Sequence, residues 1–531
     1  CFLGERIITE EARVNSQTAK IDEDRVGALT TYHRGRLGLT TKHLVGATAA
    51  LLCLRFAAAF MIAVTPQEAY YWNYAMHPAL SYFDHPPMVA WVIGVGYFLL
   101  GKSELGVRIG GFLLTLLSTW LLYALGKLWF NKKAALWAAF LFQLVPLFFV
   151  YGMLITPDVP LSFFWLLTLY LFSIALHEDR KWAWYFAGAA LGLCMLSKYT
   201  GVFLVPSAFL FLILERRYRR WLLRKEPYLA LVVALIVFIP VILWNIQHDW
   251  ASFIFQVSDR LNEESGRPLR RLGEFLLVQL GVTSPLILTG LLLISTIPMS
   301  LSMKDQRTKW RFCFLFSVPL LAFLLFYSTR SLVKANWTLP GYLSLLIAAY
   351  PCYRYLRFNS GARMKLVARY FLLAWFYILP IAYIVAVYHM TVTIPNVPVN
   401  PWTTGWKELG GVVEREAIAF EAEGGNKVFI LGMHTYHLTA ALSFYTDGGH
   451  EVFSSNLVGR HAQAFDYWKA KIDPVGLNAL AVDFEEPDLH NLRKYFTRVD
   501  ENVRRIPVMK GDKVLYRFYL VKCFGYVGSP S

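Results

Sequence analysis

The stretch LVGATAALLCLRFAAAFMIAV, residues 44–64, decides the fold. It stays apolar for about the 20 residues that a helix needs to cross roughly 30 Å of hydrocarbon. VFLVPSAFLFLIL (202–214) and YLALVVALIVFIPVILW (228–244) show the same character. The whole chain of 531 residues is 56% hydrophobic and only 17% charged, with a mean hydropathy of +0.42. A soluble chain carries about 25% charge. Roughly eleven such blocks predict an α-helical polytopic membrane protein of about 11–13 transmembrane helices. Their expected positions are 44–64, 106–126, 134–150, 159–176, 182–196, 201–214, 228–245, 274–298, 311–328, 337–351 and 370–390. MVAWVIGVGYFLLG (88–101) is too short to cross and reads as an interfacial or re-entrant helix.

The net charge of +16 sits in short loops between the apolar blocks, the densest being ERRYRRWLLRKE at 215–226. Lys and Arg in short loops mark the cytoplasmic side, which threads the first span outward. Nucleic acid is excluded as a partner, because basic and aromatic residues do not interleave outside these loops. Cys53, Cys194, Cys313 and Cys352 lie in or beside apolar blocks, and Cys1 and Cys523 stand apart, so no disulfide framework or zinc spacing arises. The hydrophilic segment 1–43 has no apolar core and is not a cleavable signal. A chain opening at Cys1 would suit a mature lipoprotein, but that would place the N-terminus outside, against the charge bias. A truncated or misassigned start is the expectation. The expected organisation is a cytoplasmic segment 1–43, a membrane domain 44–390 with a large outer loop 65–105, and an extracytoplasmic α/β domain 391–531.

The outer loops collect the polar groups: Gln67, Glu68, Asp84 and His85 in the first, Asp158 in LITPDVPL, Lys198 in SKYT, His248 and Arg260 in 246–273, and Arg330 in STRSLVKANW. Transporters and channels need ionisable or polar residues within the spans, and transporters commonly show repeated halves. Most spans here carry no such residues, and no repeat is evident. An enzyme at the outer membrane face acting on a lipid-borne substrate fits better; a transporter or flippase of lipid-linked sugars is the alternative. Glu68 is equally a solvated interface residue or a catalytic base. Asp158 caps the following helix, with Pro160 in its first turn, and can also face a cavity. Lys198 stands where positive charge is disfavoured, which points to a paired or phosphate-binding role. Tyr70 and Tyr71 suit an aromatic belt or a sugar platform. His434 and His437, three apart on an expected helix, permit metal binding but read more simply as surface or capping residues.

The string QEAYYWNYAMHPALSYFDHPPMVAWVIGVGYFLLGKSELGVRIGG (67–111), followed in order by TPDVPL, LSKYTGVFLVP, PVILWNIQHDWASFIFQ and KANWTLPGYLSL, resembles the polyprenyl-phosphate-sugar-dependent glycosyltransferases of GT-C fold. These include protein O-mannosyltransferases and lipid A aminoarabinose transferases. The resemblance covers residues 44–350, and YHLTAALSFYTDGG and SSNLVGRHAQAFDYW resemble the outer C-terminal domain of the bacterial branch. It implies transfer of a sugar, with inversion, from a polyprenyl phosphate to a hydroxyl of lipid A, a cell-surface glycan or a protein, in the bacterial inner membrane with an extracytoplasmic active site.

The resemblance also implies site residues. The family's first-loop Asp-Glu pair falls on Gln67-Glu68, so the usual base is absent, and Glu68, Asp84 or Asp158 must serve. Glu68 as base, with Asp158 orienting it or the acceptor, is the expectation. Lys198 matches the phosphate-binding Lys, with His85, Arg260 and Arg330 as further cations for the donor phosphate. Tyr70, Tyr71, Asn336 and Trp337 are expected to bind substrate. Asp84-His85 occupies the place of a pair near the lipid phosphate and a metal. No cofactor is expected to be required; a divalent metal near Asp84, with His248 as a ligand, is the one the resemblance allows. The SYFDHPPMVAW stretch (81–91) turns the chain at the membrane surface and presents Asp84 and His85 to the donor.

Overall fold

The computed structural model describes residues 40–259, 268–283, 304–359 and 404–528, apart from 425, 448 and 511–512. The expected span at 370–390 and the boundary at 390/391 lie outside the described residues, as does much of 274–298. In chain order the helices are α1 (Thr41–Met61), α2 (Pro66–Met76), α3 (Met88–Leu100), α4 (Glu104–Trp129), α5 (Lys132–Leu144), α6 (Pro146–Tyr151), α7 (Asp158–His177), α8 (Lys181–Ser197), α9 (Leu204–Leu214) and α10 (Glu226–Gln247). They continue with α11 (Pro268–Thr283), α12 (Lys304–Leu315), α13 (Val318–Tyr327), α14 (Leu339–Asn359), α15 (Trp406–Gly424) and α16 (Tyr436–Tyr445).

Among the described residues five helices are long and apolar enough to cross a membrane: Thr41–Met61, Glu104–Trp129, Asp158–His177, Glu226–Gln247 and Arg307–Tyr327, which joins α12 and α13. Other expected spans are present as shorter apolar helices. The block at 134–150 breaks between α5 and α6 because Pro146 has no N–H to continue the ladder. At 13 residues, α3 is too short to cross.

Helix ends follow their local chemistry. Ser103 caps α4 by accepting from Gly106 N–H at 3.0 Å, and Asn131 caps α5 by accepting from Lys133 and Ala134 N–H at 3.0 Å each. Between α8 and α10 the packing relies on small residues. A Cβ on Gly188 would lie 2.2 Å from the Ala230 carbonyl, so only glycine allows the backbones to approach this closely. The bundle core gathers Trp129, Trp165, Phe172, Phe211, Phe312 and Phe316, all almost fully buried.

The C-terminal region carries the expected α/β architecture. β1 (Val428–Gly432) pairs in parallel with β2 (Val452–Ser454) and β3 (Asn478–Asp483). β6 (Lys513–Tyr526) joins β3, β4 (Phe496–Val499) and β5 (Arg504–Lys510) antiparallel. β1 and β3 are buried along their whole length, with α15 and α16 contributing to the core on one face. The described residues from 47 onward belong to one compact unit. A shared core joins the α/β region to the first outer loop, where Ala440, Phe444 and Ala464 pack with Tyr70, Tyr71, Trp72, Tyr74 and Tyr82.

Candidate active site

The first outer loop begins with a capping box. Thr65 caps α2, Pro66 occupies the first turn, and Glu68 returns a carboxylate oxygen to Thr65 N–H and hydroxyl at 3.0 Å each. The same carboxylate is gripped by Arg108 of α4, whose Nε donates to Oε1 at 2.7 Å and Nη2 to Oε2 at 2.6 Å. Ile155 N–H adds a second donor to Oε1 at 3.1 Å. Glu68 is 0% and Arg108 1% exposed. The Arg108 guanidinium also donates to the carbonyls of Ala59, Ile62 and Ala63 at 2.6, 2.5 and 2.9 Å. The pair therefore ties the end of α1, the start of α2 and the loop before Asp158 to one point.

One turn further along α2, Tyr70 and Tyr74 point at a common acceptor. Tyr70 donates to Asp84 Oδ1 at 2.8 Å, and Tyr74 donates to the same oxygen. Burial, then the Asp84 carboxylate, raises both phenols well above their ordinary range, so both keep their protons. Gln256 Nε2 donates to the Asp84 carbonyl at 2.7 Å, fixing the turn that SYFDHPP makes. His85 is half-buried and meets Tyr71 edge to face at 5.8 Å.

Asp158, the first residue of α7, is 1% exposed. Its Oδ1 is 2.7 Å from Lys198 Nζ and its Oδ2 accepts from Asn336 Nδ2 at 2.6 Å. The Lys198 ammonium also lies 5.9 Å from the Trp337 ring. Lys198 caps the C-terminus of α8 in extended backbone, where its stem is 8% exposed. Three segments far apart in sequence thus contribute one buried ion pair with an amide and an indole beside it. The fields of both Asp84 and Asp158 reach Tyr71, whose phenol is raised by burial first, then by Asp84 and Tyr436, and least by Asp158.

The structure therefore brings together Asp158, Lys198, Asn336 and Trp337 in one cluster, and Tyr70, Tyr71 and Asp84 in its neighbour. Glu68 lies behind them with both oxygens engaged. Arg330 is exposed, 5.3 Å from the Phe326 ring, and Arg260 lies outside the described residues. His248 donates from Nδ1 to the Trp244 carbonyl at 2.8 Å and stacks on the Trp244 ring at 4.0 Å. Among the described residues no three His, Cys, Asp or Glu side chains gather where a metal could be held. Asp84 faces two phenols.

Sequence reasoning missed Arg108, whose signal was a single cation just inside an apolar block. It also misplaced His434 and His437. They do not share a helix face: His434 precedes α16 and pairs with Asp483 at 3.2 Å, while His437 lies in the first turn of α16 with Nε2 3.4 Å from Gln67 Oε1. The α/β region reaches the outer loop at further points. Ala464 N–H donates to Tyr70 Oη at 3.2 Å, Asn73 Nδ2 to the Ala440 carbonyl at 3.4 Å, and Val64 N–H to Tyr445 Oη at 2.6 Å.

A profile of the family described as dolichyl-phosphate-mannose-protein mannosyltransferase matches residues 84–244. The lipid A galacturonosyltransferase RgtD of Rhizobium johnstonii is 27% identical over 303 residues, 56% of this chain and 62% of that protein. The undecaprenyl phosphate-alpha-4-amino-4-deoxy-L-arabinose arabinosyl transferase of Pseudomonas savastanoi pv. phaseolicola is 33% identical over 169 residues, 30% of this chain and 31% of that protein. The chain thus matches less than two thirds of either relative. In fold it is similar to ArnT from Cupriavidus metallidurans, at TM-score 0.60 in the apo state and 0.59 bound to undecaprenyl phosphate. Each comparison has 17% identity and covers 91% of this chain and 98% of the other. The resemblance read from the ordered loop strings, to GT-C transferases that use polyprenyl-phosphate sugars, is thereby shown, and the helical architecture with it.

Proposed function

We propose that this protein transfers a sugar, with inversion, from undecaprenyl phosphate to a hydroxyl of a lipid A-type acceptor at the outer face of a bacterial inner membrane. The observation that carries the reading is the buried Lys198–Asp158 pair with Asn336 and Trp337 beside it. A lysine is a compact charge suited to phosphate oxygens, and a dry site magnifies its pull. The names of the two curated relatives support lipid A as acceptor and undecaprenyl phosphate as carrier. The outward placement rests on the basic segment 215–226, which anchors the opposite side.

In this mechanism the donor phosphate draws Lys198 away from Asp158. The freed Asp158 carboxylate, still held by Asn336, accepts the acceptor's hydroxyl proton as its oxygen attacks the anomeric carbon. The anomeric C–O bond breaks, its electron pair stays on the phosphate, and Lys198 offsets the growing charge. Glu68 serves the site as an anchor: with Arg108, Thr65 and Ile155 on its oxygens, it has no position from which to reach an acceptor. Asp84 and His85 line the donor side. Holding a lipid-bound donor beside its acceptor supplies much of the remaining acceleration.

The test is to incubate purified protein with undecaprenyl-phosphate-linked sugars and lipid A, and to identify products by mass spectrometry. Transfer of one sugar to lipid A is expected. Failure to consume any such donor would contradict the reading.

A further inference from the structure

Gln67 holds its side-chain amide between two partners from distant parts of the chain. Nε2 donates to Tyr71 Oη at 2.8 Å, one turn along α2, and Oε1 lies 3.4 Å from His437 Nε2 in the α/β region. Thr435 Oγ1 is 3.5 Å from the other ring nitrogen of His437. An amide has one donating end and one accepting end. A phenol that accepts through its oxygen still has its own proton to give.

We infer that His437 and Gln67 are positioning residues that set the direction of the hydrogen bond to Tyr71, so that Tyr71 presents its hydroxyl proton to an anionic oxygen of the bound donor. The inference rests on the proposed polyprenyl-phosphate-sugar reading and extends it to a donor-contacting residue under the control of the α/β region. The surrounding groups agree. Asp84 is occupied by Tyr70 and Tyr74, and Asp158 by Lys198 and Asn336. Among the described residues Gln67 is the hydrogen-bond partner of the Tyr71 hydroxyl. Burial, with Lys334 and His434 acting in the same sense, pushes His437 down to about 3, so its ring is neutral and carries a single N–H. Because the Gln67 carbonyl oxygen can only accept, that proton belongs on Nε2, and the Thr435 hydroxyl is free to donate to Nδ1. A carboxylate at position 67 could only accept. It would take the Tyr71 proton for itself, favour a charged His437, and leave the phenol only lone pairs to offer a donor. The amide at this position therefore reverses the polarity that an acidic residue would impose.

The experiment measures donor KM, kcat and pH profile for sugar transfer, and undecaprenyl phosphate binding, in the full-length protein. Thermal unfolding is recorded for every variant. Tyr71→Phe is expected to lower kcat/KM roughly 100–1,000-fold, the loss of one preorganised donor to a developing oxyanion, with little change in melting. Gln67→Glu should show a similar loss from about pH 8 down to about pH 5 and begin to recover only as pH falls below the ordinary Glu value of about 4.3, because a protonated carboxyl donates to Tyr71 as the amide does. Position 67 touches His437, on whose ring Lys334 and His434 act, and Tyr71, which His85 meets edge to face and whose phenol feels Asp84, Tyr436 and Asp158. The double variant should match Tyr71→Phe and show no recovery, since both changes act through one hydroxyl. His437→Gln, which keeps an N–H for Gln67, should retain more kcat than His437→Leu at equal stability.

Wild-type rates in Tyr71→Phe, or a flat pH ratio between Gln67→Glu and the native protein, would overturn the inference while leaving the proposed function intact. If the native protein neither transfers sugar nor binds undecaprenyl phosphate, function and inference fall together.

Discussion

Arg108 and Glu68, forty residues apart, meet through two N–H···O contacts of 2.7 and 2.6 Å inside a site closed to solvent. The guanidinium fork and the carboxylate match in plane and spacing, so the pair fixes orientation as well as distance. Two parts of the site are tied to this joint: the capping box of α2 on one side and, through Ile155, the loop that delivers Asp158 on the other.

Removing one partner leaves the other buried and charged. Glu68→Ala is expected to cost about 3–5 kcal/mol of stability, and Glu68→Ala with Arg108→Leu distinctly less than the sum of the single changes. Thermal unfolding in detergent checks this. An unchanged melting temperature in Glu68→Ala would remove the pair from its anchoring role.

Acidification should loosen the contact between the α/β region and the first outer loop. His437 has its folded pKa pushed down to about 3, by burial first, against about 6.5 when unfolded. The unfolded chain therefore binds more protons below about pH 6.5, and stability falls as pH drops from there toward about 3. His77 is shifted the same way by burial, where it stacks on Trp468 at 4.5 Å. The melting midpoint of the native protein should drop between about pH 7 and pH 5, and that of His437→Gln should drop less. Parallel curves would show that His437 does not carry the dependence.

The threading can be read by labelling. A cysteine placed at the exposed Arg217 should resist an impermeant thiol reagent in intact cells, and one at the exposed Glu485 should react, each compared with the unaltered chain. The opposite pattern would invert the orientation.

How much of this was legible in the sequence follows from the range of each interaction. The apolar blocks around 44–64, 159–176 and 228–245 became helices near their expected bounds, because hydropathy and helix length are local properties. Lys198 and Asp158 stood out because each was polar and tightly enclosed by apolar sequence. That they touch, and that Asn336 closes the second oxygen, depends on three loops meeting and has no local signal. For Glu68, position alone leaves base and interface residue equal, and its contact with Arg108 from α4 likewise has no local signal. Tyr70 and Tyr74, one turn apart, lie on one face of a helix aimed at Asp84; for Tyr70 the sequence suggested only an aromatic belt or a sugar platform, and Tyr74 carried no reading. His437 sits 370 residues from Gln67, beyond any local pattern.

The central claim is that Lys198 leaves Asp158 for the donor phosphate, and undecaprenyl phosphate binding to three proteins tests it most directly. The account predicts that Lys198→Ala loses most of its affinity. Asp158→Asn, which releases Lys198 from its 2.7 Å partner, should bind at least as tightly as the native protein yet form almost no product. Native-like binding by Lys198→Ala, or full turnover by Asp158→Asn, would contradict it.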